Sequence, residues 1–404
     1  MRKKYGIFIV IIIILTAGLT VTLLNKFYSF DFLYNSLIRR DFAVNPRIEV
    51  TPDKEYTIRI WYYPFYRTIN DGDEKEFFEL LEKEVKKVYP DINLLVGEVS
   101  FKSGHENLIK SIKEGNPPDI YFNLSDYNLR EERLQIAVSP YISNIEKEGF
   151  YSVNWNNISH REKLWGWPVL INRQYWIANS GIHLKNTNFT EKIKSLDKNT
   201  LILNYTDQTL LKQLLTLTGL DTFKIEKGDM DIDSYRALEE VFHFLYNLKN
   251  RDILYNKEKV MPDIFLKEFL EGEKVVVGPV NPYLANFIKK KSAANLKIVN
   301  LNNLVQTYKL NIFRQRKYKG DDHTRAVMEV SRIFAEKLSD TLAADMGMLA
   351  AYDPDTREPT GQLCKELLEI GPDVNKYWNK KVVPVWIDFW EKGLTPGEVM
   401  RNFR

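Results

Sequence analysis

From residue 56 onward, the chain alternates between segments with the apolar periodicity of strands and segments with that of helices. "YTIRIWYY" alternates apolar and polar positions and is rich in β-forming residues, which predicts a strand. "INLLVGEV" and "DIYFNL" predict two further strands, with "HENLIKSIKEG" as a helix between them. In "DEKEFFELLEKEVKKVY" the apolar stripe of a helix consists of Phe77, Leu80, Leu81, Val85 and Val88. Strands that alternate with helices predict an open α/β fold built on a parallel sheet.

The second half of the chain continues this alternation less regularly. "LWGWPVLINRQYWIAN" predicts two strand-like runs around Pro168, and "TLILNYT" predicts a short strand before the helical "DQTLLKQLLTLTG". Residues 233–249, "DSYRALEEVFHFLYNLK", have the pattern of a strong amphipathic helix. "IFLKEFLEGEKVVVGPVNPYLANFIKK" predicts a helix, a strand, a Gly-Pro turn and a second helix, and the remainder of the chain is mainly helical.

The N-terminal segment does not take part in this alternation. After "MRKK", the twenty residues from Tyr5 to Leu24 carry no charge. A membrane-spanning helix needs about 20 apolar residues, whereas a cleaved signal peptide has an apolar region of about 7–15. The run has no clear small-x-small cleavage site apart from a weak candidate at Thr16–Gly18, and no lipoprotein cysteine follows it. We therefore predict that residues 1–25 are an uncleaved membrane anchor, with a cleaved signal as the alternative.

The charges before this anchor predict on which side of the membrane the folded body lies. Positive residues ahead of the apolar run favour a cytoplasmic N-terminus, so the body is expected on the extracytoplasmic face of the cell membrane. Residues 26–55 contain aromatic side chains but no sustained period, and we expect them to be a spacer.

Composition places the rest of the chain among ordinary globular proteins. The 404 residues suggest about two to three domains, and 44% hydrophobic with 27% charged residues indicates a substantial core. A formal net charge of +3 gives no reason to expect a nucleic-acid partner. Cys364 is the only cysteine, so the chain has no internal disulfide, and its helical context predicts a small buried hydrophobe.

The sequence patterns of common catalytic and metal sites are absent. The chain has no GxSxG, P-loop, GxGxxG or HExxH pattern, and its five histidines are scattered. "DMDIDSYRALEE" does set acidic residues at positions one, three, five and twelve of an EF-hand calcium loop. However, its sixth position is Ser234, where that loop needs glycine, and Asp233 or Ser234 as a helix N-cap explains the acidic residues. We therefore expect no metal.

Polar and aromatic side chains follow two of the predicted strands. "GNPPDIYFNLSD" ends a buried strand in Asn123, Ser125 and Asp126. Loops at the carboxyl ends of strands in an α/β sheet build binding crevices, so we expect these residues at a binding site. "WYYPFY" leaves the first strand in the same way, although each of its rings is also a candidate for the core. Aromatic rings beside carboxylates and amides suit a sugar, because a ring stacks on its C–H face while polar groups bond to its hydroxyls.

Four segments of the chain, in order and spacing, resemble the extracellular solute-binding proteins of ABC importers, specifically the maltose-binding-like, carbohydrate-associated group. The segments are "YTIRIWYY", "IKEGNPPDIYFNLSD", "LWGWPVLINRQYWIAN" and "FLEGEKVVVGPVNPY". They are similar to the family's first strand, its G-x-x-P-D strand and loop, its hinge-crossing strand pair and its F-x-x-G-x-x-x-x-x-x-G-P segment. The resemblance extends over nearly all of residues 56–404.

The resemblance implies a fold of two α/β lobes, the type II periplasmic-binding-protein clamshell, with hinge-crossing strands and the N-terminal anchor in front. It implies a first lobe made of residues 56–156 and 275–312. The second lobe would consist of residues 157–274 and 313–404, and the ligand would be clamped between the two.

The resemblance also implies a set of binding residues, by match to the family's ligand-contacting positions. They are Tyr63, Phe65, Asn123, Ser125, Asp126, Trp167, Asn172, Asp207, Asn281, Tyr283 and Trp378. One departure from the pattern is Val280, because the family often has an aromatic residue directly after Gly-Pro. Asn281 and Tyr283 would be weaker substitutes for that stacking ring.

The implied function is capture of a sugar or oligosaccharide and its delivery to the permease subunits of an ABC importer, without catalysis or a cofactor. Another polar metabolite is the next class of ligand. Because a missing lipoprotein cysteine and a long anchor are unusual for a free solute receptor, a membrane-tethered sensor that reports occupancy to a signalling partner is the alternative. A glycosidase is a third class, which needs two carboxylates about 5–10 Å apart, but no motif marks such a pair.

Overall fold

The computed structural model describes the greater part of the chain between Lys26 and Phe403. The described residues are 16, 26–39, 42–63, 74–100, 103–123, 134–150, 158–160, 163–179, 182–185, 188–203, 209–220, 225, 230–254, 276–280, 285, 288, 296–299, 305–346, 348–352 and 381–403. The described strands are β1 Tyr56–Tyr62, β2 Ile92–Glu98, β3 Ile120–Asn123, β4 Ser159–His160, β5 Lys163–Leu164, β6 Trp167–Arg173, β7 Tyr175–Asn179, β8 Leu201–Leu203, β9 Val276–Val280, β10 Leu296–Val299, β11 Val305–Ile312 and β12 Leu349–Ala350.

The described α-helices are α1 Phe30–Leu33, α2 Glu74–Val88, α3 Gly104–Glu114, α4 Asn144–Glu148, α5 Phe189–Lys194, α6 Thr209–Leu217, α7 Ile232–Asn250, α8 Asp321–Ile333, α9 Ser339–Met346, α10 Val383–Glu391 and α11 Pro396–Phe403. Two π-helical segments, Tyr34–Arg39 and Phe334–Leu338, follow α1 and α8. Residues Ser139–Tyr141 form a 3-10 turn. Helices thus follow β1, β2 and β8, as the alternating periodicity predicts.

The first sheet contains six described strands in the order β12-β6-β11-β3-β1-β2. β1 runs parallel to β2 and to β3, as the alternation of strands with helices predicts. β11 runs antiparallel to both of its neighbours, β3 and β6. The sheet is therefore mixed rather than wholly parallel, because β11 follows a strand of the second sheet, β10, instead of a crossover helix.

The second sheet contains four described strands in the order β10-β7-β9-β8. β8 and β9 are parallel, and β7 is antiparallel to β9 and to β10. Successive residues of the central strand β9 are buried in different apolar clusters, Val276 in one and Val277 in the other. The second sheet therefore separates two apolar layers.

The core of the first lobe lies between the first sheet and its helices. Leu81 and Val85, four residues apart on α2, are fully buried in it. Phe334, which follows α8, packs against Phe77 of α2 and Phe122 of β3, with ring centroids 5.3 and 5.2 Å apart. These aromatic contacts join a helix from the start of the lobe to one from much later in the chain.

The core of the second lobe is built around the long helix α7. Phe242 of α7 is fully buried, and its ring centroid is 5.1 Å from that of Phe389 on α10 and 6.4 Å from that of Phe403 on α11. The amphipathic helix predicted from the sequence is confirmed, and its buried face is covered by the last two helices of the chain.

Taken in chain order, the described elements pass from one lobe to the other three times. β6 and β7 are separated by Gln174 alone, yet β6 lies in the first sheet and β7 in the second. The return from β10 to β11 falls in residues 300–304. A third passage, from β12 to α10, falls in residues 353–380. These last two segments are not among the described residues.

The predicted lobe boundaries need correction at three places. The described residues from 158 to 173 and from 313 to 352 belong with the first sheet and its core, whereas β9 and β10 belong with the second sheet, which is the reverse of the prediction. The sequence suggested a break at Pro168, but this residue lies inside β6 beside a bulge in its pairing with β11. A sheet tolerates the missing N–H of proline at such a position, so the strand continues.

Part of the predicted spacer packs on the first lobe. Asn45 is 1% exposed, and its Nδ2 donates a hydrogen bond to the carbonyl oxygen of Phe27 at 2.8 Å. Val44 and Val50 pack against the first core. Residues 42–50 are therefore a part of this lobe rather than a free linker.

The predicted anchor, residues 1–25, falls almost entirely outside the described residues, with Thr16 as the exception. In the part of the chain that the structure does describe, no helix has the length and apolar character needed to cross a bilayer. The anchor therefore stays a prediction.

Candidate ligand cleft

The strand registers place the carboxyl ends of β1, β3 and β6 in the first sheet, and of β8 and β9 in the second, on the side where the chain crosses, here called the junction. β6 runs into β7, so its carboxyl end lies at the junction. β11 is antiparallel to β6, and β3 is antiparallel to β11, so β3 and its parallel neighbour β1 end on the junction side. In the second sheet β7 begins at the junction. Its antiparallel neighbour β9 therefore ends there, together with β8.

The loops after β1, β3, β8 and β9 thus all start from the junction side. In open α/β sheets, loops at the carboxyl ends of strands form the ligand crevice. Six of the predicted binding residues lie in the stretches of sequence that follow these strands and a seventh in the stretch from 353 to 380, all outside the described ranges: Phe65, Ser125, Asp126, Asp207, Asn281, Tyr283 and Trp378. Their roles as ligand contacts stay predictions.

β6 and β11 extend together beyond the end of β3 toward the crossing, and β12 pairs with β6 at Leu170 and Ile171. This stretch of β6 and β11 is here called the ribbon. Lys309 of β11 is in register with Asn123, the last residue of β3, whereas Val305 is in register with Arg173. The four residues from 309 back to 305 correspond to about 13 Å of strand. The ribbon therefore lies between the end of β3 and the crossing into the second sheet.

Tyr63, the first residue after β1, packs inside the first lobe. It is 5% exposed, and its ring lies edge-on to that of Tyr121 with centroids 6.0 Å apart. Gly104 lies so close to the same ring that a Cβ there would come within 2.8 Å of it. The ring thus helps to fill a small apolar cluster on the face of the first sheet opposite its main core. Its predicted contact with a ligand stays a prediction.

Asn123, at the end of β3, belongs to a buried chain of amide groups. Its Nδ2 donates to Oδ1 of Asn311 on β11 at 3.3 Å, and Asn311 Nδ2 donates to the carbonyl oxygen of Trp165 at 2.9 Å. Gln135 Nε2 donates to the same carbonyl at 3.1 Å. Both asparagines are 1% exposed or less, so these bonds offset the cost of removing amides from water. They also fix the end of β3 beside the crevice.

Trp167 and Asn172 both lie on β6 and are buried. Trp167 packs within the first core, where its ring centroid is 6.4 Å from that of Phe150. Asn172 lies on the ribbon and donates from Nδ2 to the hydroxyl of Tyr308 at 2.7 Å. Asn172 therefore lies in the ribbon and Trp167 in the first core, and their predicted contacts with a ligand stay predictions.

Buried polar side chains in the strands of the first sheet are concentrated at this end. Those that the structure describes are Asn123, Asn172, Thr307, Lys309 and Asn311. The three on β11 were not predicted from the sequence, although "VQTYKLNIF" carries a signal, since Thr307, Lys309 and Asn311 alternate with apolar residues. Their alternation places them on one face of β11, together with the end of β3.

Solved structures of three bacterial proteins share this architecture. The GacH receptor of Streptomyces glaucescens, solved without ligand and with acarbose, is 12% identical and aligns over 87% of this chain and 97% of its own, with a TM-score of 0.64. The maltose/maltodextrin-binding domain MalE of Bdellovibrio bacteriovorus, bound to maltotriose, is 14% identical, with 86% and 97% coverage and a TM-score of 0.62. The ABC substrate-binding protein Lmo0181 of Listeria monocytogenes, in complex with cycloalternan, is 14% identical, with 87% and 97% coverage and a TM-score of 0.63.

The chain has the fold of the maltose-binding-like solute-binding proteins. The two-lobed α/β fold predicted from the sequence is thereby confirmed. No family model matches the chain, and no curated protein matches it by sequence. At 12–14% identity the likeness establishes the fold, and the ligand has to be argued from the crevice itself.

A second polar cluster lies at the opposite end of the strands of the first sheet, where β3 begins rather than where it ends. Asp119 is 2% exposed and accepts hydrogen bonds from the backbone N–H of Arg59 at 2.9 Å and from Nζ of Lys319 at 3.3 Å. His323 Nε2 lies 3.2 Å from the same carboxylate. Burial alone would raise the pKa of Asp119, but the hydrogen bonds from His323 and Arg59 and the charge of Lys319 hold it below its usual value. A small hollow lined in part by Asp119, Lys319 and His323 adjoins the cluster. Because this end of the strands lies away from the crossings, we interpret the cluster as structural.

The acidic string that resembles a calcium loop contains a helix cap. The carboxylate of Asp231 accepts hydrogen bonds from the backbone N–H of Ser234 at 2.8 Å and from its hydroxyl at 2.7 Å. The N-cap of α7 is therefore Asp231, which corrects the prediction of Asp233 or Ser234. Among the described residues, no three metal-ligating side chains lie close enough together to hold an ion.

Proposed function

We propose that the chain is an extracytoplasmic solute-binding protein that captures a sugar or oligosaccharide between its two lobes. The observation that carries this proposal is the strand register, which starts the loops after β1, β3, β8 and β9 on the junction side of their sheets. A ligand held among these loops would contact both lobes, and it would therefore favour a closed arrangement of the two.

The chemistry of the first lobe at the crevice suits a saccharide. Thr307 and Lys309 supply a hydroxyl and an ammonium group at the end of β3, beside the amides of Asn123 and Asn311, which bond to each other. Such groups donate and accept hydrogen bonds with sugar hydroxyls, while the predicted aromatic residues of the loops would supply faces for the sugar C–H groups. The three similar structures are described with acarbose, maltotriose and cycloalternan, which supports an oligosaccharide as the ligand class.

We extend the proposal to delivery and location. The likeness to an ABC substrate-binding protein supports delivery of the solute to the permease subunits of an ABC importer. The uncharged run from Tyr5 to Leu24 supports attachment to the extracytoplasmic face of the membrane. No observation on the structure favours the tethered-sensor alternative or enzymatic turnover.

A thermal-shift screen of the full chain in detergent tests the ligand class. The panel contains linear and cyclic α-glucans, xylo-oligosaccharides and, as controls, free amino acids. At least one saccharide is expected to raise the melting temperature in a concentration-dependent way, because a ligand at 100 times its Kd stabilises the folded state by about 2.7 kcal/mol. A rise with amino acids alone, or with nothing at millimolar concentration, would overturn the proposal. Chromatography of the bound saccharide should recover it unchanged.

A further inference from the structure

The segment from Phe27 to Ile38 concentrates exposed apolar side chains. Six of the ten large hydrophobic residues that are exposed in the described structure lie between residues 27 and 42. Five of these six are Phe27, Tyr28, Tyr34, Leu37 and Ile38, and Leu37 and Ile38 are 68% and 69% exposed. A soluble surface normally scatters such residues, so their concentration indicates an interaction site.

The composition of the segment points to the surface of a lipid bilayer. Residues 27–38 contain five aromatic residues and a single charged one, Asp31. Lys26 precedes them, and Arg39 and Arg40 follow. Aromatic residues flanked by basic ones are typical of the membrane–water interface, where rings lie at the headgroup level and basic side chains meet anionic lipids. The segment also begins three residues after the uncharged run that ends at Leu24.

The following residues clamp this segment to the first lobe. The guanidinium carbon of Arg314 lies 3.7 Å from the ring centroid of Phe42, and the ring of Tyr318 lies edge-on to it at 5.0 Å. Asn45 is buried and donates to the carbonyl oxygen of Phe27. The segment that carries the exposed apolar side chains is therefore fixed to the first lobe and does not move freely on a linker.

These contacts with Arg314 and Tyr318 lie at the end of the first sheet's strands that is opposite the crevice. Arg314 and Tyr318 follow the carboxyl end of β11, and the amino end of β11 is at the crossing. The eight residues of β11 therefore separate these contacts from the crossing by about 25 Å.

We propose that residues 27–38 lie in the interface of a lipid bilayer, with their exposed apolar side chains against the lipid. They attach the first lobe to the bilayer at the end of its strands that is opposite the crevice. The bilayer is the partner because the segment continues from the uncharged run and has the composition of an interfacial element. This attachment leaves the crevice open to the surrounding solution. The inference rests on the membrane anchor of the proposed function but not on the identity of the ligand.

Lipid-borne quenching on the full chain tests this inference. Leu37 and Ile38 are each replaced by cysteine in a Cys364→Ser background, and Ile232→Cys in the second lobe is the matched control because Ile232 is 74% exposed. Each thiol carries an environment-sensitive fluorophore, and the protein is reconstituted in nanodiscs of phosphatidylcholine and phosphatidylglycerol with spin-labelled acyl chains. We expect severalfold stronger quenching of the labels at positions 37 and 38 than of the label at position 232.

The outcomes separate this inference from the proposals on which it rests. Equal quenching at all three positions, in discs that retain the full-length chain, overturns the interfacial contact and leaves the anchor intact. Protection of the labels at 37 and 38 from aqueous iodide without lipid quenching indicates a protein partner and also overturns it. A chain that begins after residue 18 and does not stay with the discs overturns the anchor and the inference together. Saccharide binding in the same discs reports on the ligand independently.

Discussion

Asn172 donates a hydrogen bond to the hydroxyl of Tyr308, 2.7 Å away, and so ties β6 to β11 between the end of β3 and the crossing. Both residues are buried, at 0% and 6% exposure. The ribbon that they join leads directly into β7, so it links the two lobes. A ribbon held in this way would let the lobes move as two bodies about a short hinge near Gln174.

Tyr308→Phe removes only the hydroxyl from this pair. We expect it to lower the free energy of unfolding by about 0.5–1.5 kcal/mol, the usual net contribution of one hydrogen bond, as measured by urea unfolding. The control is Tyr246→Phe, on a half-buried tyrosine beside the second core, with an expected change below about 0.5 kcal/mol. Equal effects of the two variants would show that the bond does not stabilise the ribbon.

Asn311→Ala tests the chain of amides that fixes the end of β3. Asn311 both accepts from Asn123 and donates to the Trp165 carbonyl, so we expect a loss of about 1–3 kcal/mol in stability and weaker binding of any saccharide found in the screen. Asn107→Ala is the matched control, because the Asn107 amide bonds to Ser103 at the exposed surface of α3. An unchanged affinity in a destabilised Asn311→Ala protein would separate this chain from the crevice.

Asp119 should make stability depend on pH on the acid side. Its pKa is held below the usual value of about 4, so its contribution to stability is fully present above pH 4 and is lost as the pH falls toward the lowered pKa. Asp119→Asn should therefore cost about 1.5–3 kcal/mol at pH 7 and flatten the decline in melting temperature below pH 4. Glu79→Gln, on a carboxylate that is 62% exposed, is the control. An unaltered acid profile for Asp119→Asn would contradict this account.

Asp126 is a predicted ligand contact, and as the residue before "YNLREERL" it is also a candidate N-cap of a turn or helix. Asp126→Asn keeps most of the capping ability, because asparagine is as good an N-cap as aspartate, but removes the charge. If Asp126 contacts the ligand, Asp126→Asn should weaken binding by about 1.5–3 kcal/mol, or roughly ten- to hundredfold in Kd, with little change in melting temperature. Calorimetry and melting curves are measured on the Asn and Ala variants together. Unchanged affinity in both, with a lower melting temperature only for Ala, would assign Asp126 to the helix.

The elements with strong local periods could be predicted from the sequence. β1 and α2 lie where the alternating and helical patterns place them, and Leu81 and Val85 are buried as expected. Val88, on the same stripe, is 49% exposed because it lies in the last turn of α2. Periodicity therefore identified the helix and its buried face but did not show how far the sheet covers it.

The resemblance placed a crossing within "LWGWPVLINRQYWIAN", but its exact position could not be predicted, because it depends on contacts between distant strands. Pro168 is the stronger local break, yet it lies within β6, whereas the change of sheet occurs at Gln174, which is 5% exposed. Similarly, Lys309 and Asn311 look like polar surface residues in the sequence. Their burial becomes evident only when β3 and β6 are placed on either side of β11.

The central claim is that a saccharide closes the two lobes around itself. Small-angle scattering tests this claim most directly. The sample lacks residues 1–25 but retains residues 42–50, because these pack on the first lobe. With the saccharide that gives the largest thermal shift, the account predicts a smaller radius of gyration at saturation than without ligand, and no change with free amino acids. A radius of gyration that stays the same at saturating saccharide would contradict it.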